Sequence, residues 1–283
     1  MEPKDLWEKK LLVFDLDGTL YQDRSHFAVY AREIARRLPE EKREAYLWDY
    51  QNSLLGKGPV QFGDFYDAFL DVLFRRDEKG DYRAYSWEGE LLPQVKAPEQ
   101  FRPGEGRHIF VGDDWWVPLV IGRHYGASDS DIGQAFLLTR AFQASPQYEL
   151  PRNERLVEFL RSFRQGGGYL ALMTNSPQPD SEIILEKLGL RGAFDKAIFA
   201  AGKPLLTRAH LQSLLQQFRV SPGDAVSIGD NPLNDILPAR ILGLRTVFID
   251  PYQLAHEADP DLSFPHLDDF LEWVMSEKTA ARS

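Results

Sequence analysis

Cysteine is absent from the 283-residue chain, which removes disulfides, thiolate zinc sites and cysteine nucleophiles together. Long apolar runs are missing as well. The longest, residues 11–14, 117–121 and 169–173, fall far short of the roughly 18 residues that a membrane span needs. No repeat period and no low-complexity tract stands out. The opening Met-Glu-Pro-Lys-Asp-Leu-Trp is charged and lacks the apolar core of a secretory signal, so a cytoplasmic location without a membrane partner is the expectation. Positive charge is in short supply: 33 basic against 43 acidic residues give a net charge of −10. Binding to nucleic-acid polymers depends on basic side chains displacing counterions, so no such partner is expected. A small anionic substrate stays open if local charges receive it. The six histidines show no paired spacing of the His-x-x-x-His kind, which argues against a zinc site.

What is present is the composition of a globular protein, with a length that leaves room for about two domains of roughly 150 residues. Three short apolar runs each end in a polar turn: 11–14 before Asp15-Leu16-Asp17-Gly18-Thr19, 169–173 before Thr174-Asn175-Ser176, and 225–228 before Gly229-Asp230-Asn231. Residues 197–200 and 246–250 read as two more strands, and helical spacing predicts helices near 152–165, 180–188, 205–218 and 234–242. Strands alternating with helices predict an α/β fold with a doubly wound parallel sheet, whose carboxyl edge collects the polar turns and binds ligands.

Residues 22–148 break this rhythm and read as an inserted domain, mostly helical, between core segments 1–21 and 149–283. Helices are expected at about 25–38, 40–55, 62–76 and 129–144. An extra segment, 81–126, carries a predicted hairpin of 108–111 with 115–121, turning at Gly112-Asp113-Asp114. Trp115, Trp116, Tyr125 and Phe62 read as packing residues before pocket residues, and Arg123 and His124 read as a solvated loop.

Asp15 and Asp17 set two carboxylates two residues apart at a strand end, where a turn presents both to a ligand. Two carboxylates at an anion site need a cation to offset their repulsion, and hard oxygen ligands select magnesium. Here the sequence resembles the haloacid dehalogenase-like (HAD) superfamily. Asp15, Asp17 and Thr19 match its Asp-x-Asp-x-Thr motif, Thr174 its second motif, Lys203-Pro204 its third, and Asp230 with Asp235 its fourth, in family order.

The resemblance implies a Rossmann-like HAD core with a C1-type cap at 22–148, and a magnesium-dependent hydrolase of small phosphorylated metabolites. Asp15 would be the nucleophile and Asp17 the acid and base. Magnesium would be held by Asp15, the Asp17 carbonyl and Asp230. Thr174 and Asn175 would bind the phosphoryl group, Lys203 would neutralise it, and Asp235 would fix Lys203 or a metal-bound water. A dehalogenase or phosphomutase of the same fold, or a non-catalytic phosphate-binding module, are the alternatives. Read alone, Thr174 is as well explained as a helix cap and Lys203 better as a solvated lysine. Asp113 is a rival to Asp230, but only the later Gly-Asp follows the lysine and opens a helix.

Overall fold

A computed structural model describes residues 1–280. In chain order the strands are β1 (Leu11–Phe14), β2 (Phe65–Asp67), β3 (Val72–Arg76), β4 (Tyr82–Tyr85), β5 (His108–Phe110), β6 (Tyr169–Met173), β7 (Lys196–Ile198), β8 (Ala225–Gly229), β9 (Arg245–Ile249) and β10 (Leu262–Phe264). They form a six-stranded sheet in the order β10-β9-β8-β1-β6-β7 and a four-stranded sheet in the order β4-β3-β2-β5. The chain divides into two compact units, one of residues 1–23 with 144–283, the other of residues 24–143.

The larger sheet is parallel at every pairing and lies in the first unit. All four residues of β1 and all five of β8 are buried, as apolar strands must be when helices cover both faces. Leu11 and Val13, two apart and so on one face, pack with Ala171, Met173, Leu211 and Leu214. Helix Glu154–Gln165 turns Leu156, Phe159, Leu160 and Phe163 inward, and Asn153 caps it by accepting the Leu156 N–H at 3.1 Å. From β1 the chain builds outward through β6 and β7, then returns to the opposite side of β1 with β8. Strand order therefore reverses at β1, the place where open α/β sheets form their ligand crevice. The expected α/β fold with its central parallel sheet is thus present; β10 and the helix Leu267–Ala280 extend it beyond the elements predicted. Residues 144–148 fall in this unit, where Lys187 Nζ donates to the Ser145 and Tyr148 carbonyls at 2.6 and 2.7 Å.

The second unit packs helices Phe27–Ala35, Glu40–Leu54 and Trp116–His124 around Tyr30, Ile34, Tyr46, Val120 and Ile121. It also contains the antiparallel sheet, and here two expectations fail. Residues 62–76 are the β2–β3 hairpin rather than a helix. The apolar spacing at 65, 66, 69 and 70 mimics a helical face, but Phe69 and Leu70 are 77% and 52% exposed. Asp67 Oδ1 accepts the N–H groups of both and closes the turn.

Residues 115–121 do not pair with 108–111 either. Strand β5 pairs with β2, while Trp116–His124 is a helix with Pro118 in its first turn, where the missing N–H costs nothing. A short apolar run does not distinguish a strand from a buried helix. Asp113 and Asp114 consequently sit before a helix, not in a hairpin turn: Asp113 accepts the Trp115 N–H at 2.9 Å and the Trp116 indole N–H at 3.1 Å, and Asp114 pairs with Arg24. Trp115 lies edge-on to Phe27, Tyr30 and Phe136 as part of the core. His124 is in the last turn of the helix, stacked 3.7 Å from the Trp87 ring, so it is not a solvated loop residue.

Candidate active site

Three of the sheet's strands end in the polar turns singled out in the sequence. Asp15 follows β1 directly, and its N–H donates to the Ile228 carbonyl at 2.9 Å, which ties it to β8. Thr174 follows β6, its N–H bonded to Ile198 at 2.9 Å, and Asp230 follows β8. Parallel strands in register bring these three ends to one edge.

Lys203, from the loop after β7, reaches into this edge. Its Nζ donates to Asp15 Oδ1 at 2.7 Å and to Asp235 Oδ1 at 2.6 Å, and all three side chains are almost wholly buried. A buried ammonium is tolerated only when paired. Here it has two carboxylate partners and the charge surplus is negative. Burial pushes the Asp15 carboxyl up to about 7 against the pull of Lys203, and Asp235 and Asp17 add to the rise. Burial pulls Lys203 down, but Asp15 and Asp235 outweigh it and hold the ammonium charged.

Asp15, Asp230 and Asp235 each place a carboxylate oxygen within 4.8 Å of the others. Three hard oxygen donors with excess negative charge match what magnesium takes, so the residues present fit that ion. Thr19 Oγ1 donates to Asp230 Oδ1 at 3.4 Å. Asp235 stands on the helical turn Pro232–Ile236, whose first N–H groups, those of Leu233 and Asn234, bond to Asn231 Oδ1 at 3.1 and 3.0 Å. The Asn231 N–H donates to Asp235 Oδ2 at 3.2 Å, so Asp235 is fixed on both oxygens.

Thr174 does not cap the helix Gln178–Lys187. Its hydroxyl oxygen accepts the Ser176 N–H at 3.1 Å instead. Asn175 uses its side chain on Lys203: Oδ1 accepts the Lys203 N–H at 2.7 Å, and Nδ2 donates to the Lys203 carbonyl at 3.1 Å. Asp17 lies beside this group, with its carboxylate bonded to Ser176 and Tyr21. Asp15, Lys203, Asp230 and Asp235 therefore meet directly, and Asn175 joins them through the Lys203 main chain. The rival Asp113 lies in the second unit. Sequence reasoning assigned no role to Ser176, Tyr21, Asn231 or the side chain of Asn175. The bonds of Asn175 and Ser176 span 28 and 159 residues and leave no local spacing, whereas Tyr21 and Asn231 bond four residues away, to Asp17 and Asp235.

Comparison with known proteins gives the family. Residues 9–243 match the family model of haloacid dehalogenase-like hydrolases. The chain belongs to that family, and it is accordingly an enzyme of the hydrolase class. Among curated proteins it is similar to a phosphoserine phosphatase of Thermus thermophilus, 34% identical over 266 residues that cover 89% of this chain and 94% of that one. Among solved structures it is similar to the putative HAD-hydrolase YfnB of Bacillus subtilis, described with magnesium bound. That match has a TM-score of 0.50 and 14% identity, covering 94% of this chain and 99% of the other. A 2-haloacid dehalogenase of Pseudomonas syringae aligns with a TM-score of 0.45 and 18% identity over 95% and 99% of the two chains. No helix among the described residues is long and apolar enough to cross a membrane.

Proposed function

We propose that the enzyme is a magnesium-dependent phosphomonoester hydrolase that acts in the cytoplasm on a small phosphorylated metabolite through an aspartyl-phosphate. The observation that carries this reading is the buried Asp15–Lys203–Asp235 chain with Asp230 beside it, an acidic cluster holding one fixed cation. Phosphoryl transfer asks mainly for positioning and for charge stabilisation on three oxygens. Asp15 attacks phosphorus in line, forming a carboxylate–phosphorus bond while the ester P–O bond breaks. Asp17 gives its proton to the departing alcohol and then takes one from the water that hydrolyses the acyl phosphate.

Lys203, held by Asp235 and by the Asn175 clasp, orients Asp15 and neutralises the transferring group. The Thr174 hydroxyl and the Asn175 main-chain N–H receive the phosphoryl oxygens. Asp15, the Asp17 carbonyl and Asp230 would hold magnesium, whose charge offsets the repulsion between phosphate and carboxylates. Residues 22–148 are assigned as a cap of C1 type, supported by their position between the first two motifs and by the separate core of the compact unit, residues 24–143, that makes up most of them.

The resemblance to a phosphoserine phosphatase puts phosphoserine first among the substrates to test. The test is a panel of phosphate monoesters assayed with magnesium, with chelator, and with Asp15→Asn. Turnover that needs both the ion and Asp15 supports the reading. Metal-independent halide release from a haloacid, with no phosphate release, overturns it.

A further inference from the structure

Asp17 is bound by two hydroxyl groups that none of the motifs assigns. Ser176 Oγ donates to Asp17 Oδ2 at 2.7 Å, and the Tyr21 phenol donates to Asp17 Oδ1. Both donors are buried, Ser176 at 5% and Tyr21 at 6% exposure. Neither hangs loosely. Tyr21 forms a backbone bridge with Asp17 itself. Ser176 is fixed at both ends of its peptide: its N–H donates to Thr174 Oγ at 3.1 Å, and its carbonyl accepts the Ala200 N–H at 3.0 Å.

Two rigid donors from separate parts of the chain thus meet one carboxylate, one on each oxygen. The terminal torsion of an aspartate is broad and roughly two-fold, so a single contact leaves the carboxylate plane loosely defined. A contact on each oxygen fixes that plane. Each carboxylate oxygen has about two acceptor sites, so one hydroxyl apiece leaves room for the proton that Asp17 must carry. Hydrogen bonds from hydroxyls to a carboxylate are short and about twice as strong as neutral ones.

Resting on the phosphomonoesterase reading, we infer that Tyr21 and Ser176 are positioning residues that aim Asp17 at the ester oxygen. The site is thereby built for esters of alkyl alcohols. As the bond from Asp15 to phosphorus forms and the ester P–O bond breaks, the proton on Asp17 passes to the departing oxygen. An alkoxide needs that proton to leave; a nitrophenolate departs without it. Misaimed proton transfer therefore slows the ester-cleaving half-reaction, which kcat/KM reports, selectively for alkyl esters, whereas damage to Asp15 or to phosphoryl binding slows it for every ester alike; the base role of Asp17 in the second half-reaction is common to both.

The experiment measures kcat and KM for phosphoserine and for p-nitrophenyl phosphate, with magnesium, in the wild type, Tyr21→Phe and Ser176→Ala. The expected result is a fall in kcat/KM about tenfold larger for phosphoserine than for the aryl ester, a part of the roughly 10²–10⁴-fold that a general acid contributes. In an Asp17→Asn background the same changes should add nothing to the loss on the aryl ester. Equal losses of kcat/KM on both esters, no loss on either, or losses that add in the Asp17→Asn background overturn the inference. Should Ser176→Ala fail to fold, Tyr21→Phe, which keeps the ring, decides alone. Wild-type turnover with unchanged selectivity in the variants sinks this inference only. A wild type that hydrolyses neither these esters nor the wider panel sinks the phosphomonoesterase reading and the inference with it.

Discussion

The carboxylate of Asp230 fills the volume that a β-carbon on Gly18 would need, and Gly18 itself holds a left-handed backbone with φ of +79°. Glycine is required there twice over, for the turn that follows β1 and for the approach of an acidic group from the loop after β8. One residue without a side chain thereby lets two loops share the candidate ion site.

Gly18→Ala should therefore destabilise the protein and weaken its hold on magnesium. The left-handed backbone alone costs about 1–2 kcal/mol with a β-carbon, and Asp230 must also move. Urea denaturation reads the first effect and a magnesium titration of thermal stability reads the second. Wild-type behaviour in both would contradict the shared-space argument.

Removing the ammonium should be costly. Lys203→Met leaves Asp15 and Asp235 buried without their counter-charge, and breaking a buried pair in this way costs about 3–5 kcal/mol. Lys203→Met combined with Asp235→Asn should recover part of that loss because one fewer charge stays uncompensated. Chemical denaturation of the two variants gives the comparison; a double variant no more stable than the single would count against the triad as an electrostatic unit.

The pH dependence follows from Asp15. Its carboxyl rises from an unfolded value of 3.8 to about 7, chiefly through burial, so the folded protein binds a proton that the unfolded chain releases earlier. The stability that this proton confers is complete below about 4 and is lost as pH rises through about 7. With chelator present, the Asp15 contribution to melting temperature should thus fall across that window, and Asp15→Asn should flatten the fall. Magnesium favours the ionised form, so adding it should raise the melting temperature more at pH 8 than at pH 5. An equal rise at both values would refute the linkage.

Asn175→Ala should loosen Lys203 without touching any charged group. Two hydrogen bonds to the Lys203 main chain disappear, and leaving those groups unsatisfied costs about 1–3 kcal/mol. On the proposed mechanism turnover of a phosphate ester falls as well, because the lysine that orients Asp15 is no longer held. A stability loss with fully retained kcat would confine Asn175 to folding.

Some of this structure is written in short stretches of chain. Leu11–Phe14 is apolar at every position, which is the mark of a strand covered on both faces, and β1 is the centre of the larger sheet. The turns after β1, β6 and β8 are readable for a related reason, since a cluster of polar turn formers closing an apolar run marks the strand's end. Residues 62–76 were not readable. Aromatic residues at 65, 66 and 69 fit a helical period, and the Asp67 turn that breaks it acts through a side-chain bond rather than through glycine or proline. The run at 117–121 failed likewise, because length and apolarity do not separate a buried helix from a strand.

The sequence by itself determined the α/β class, the strand ends and the candidate residues placed on them, because hydrophobic periodicity and turn chemistry are local properties of neighbouring residues. Only the tertiary structure decided that Lys203 bridges Asp15 to Asp235, and that Ser176 closes on Asp17 opposite its near neighbour Tyr21. Those contacts depend on parallel strands in register and on desolvation that no single segment experiences alone. Charge that is unremarkable on an isolated loop becomes paired, shifted and directional once the folded sheet edge excludes water from it.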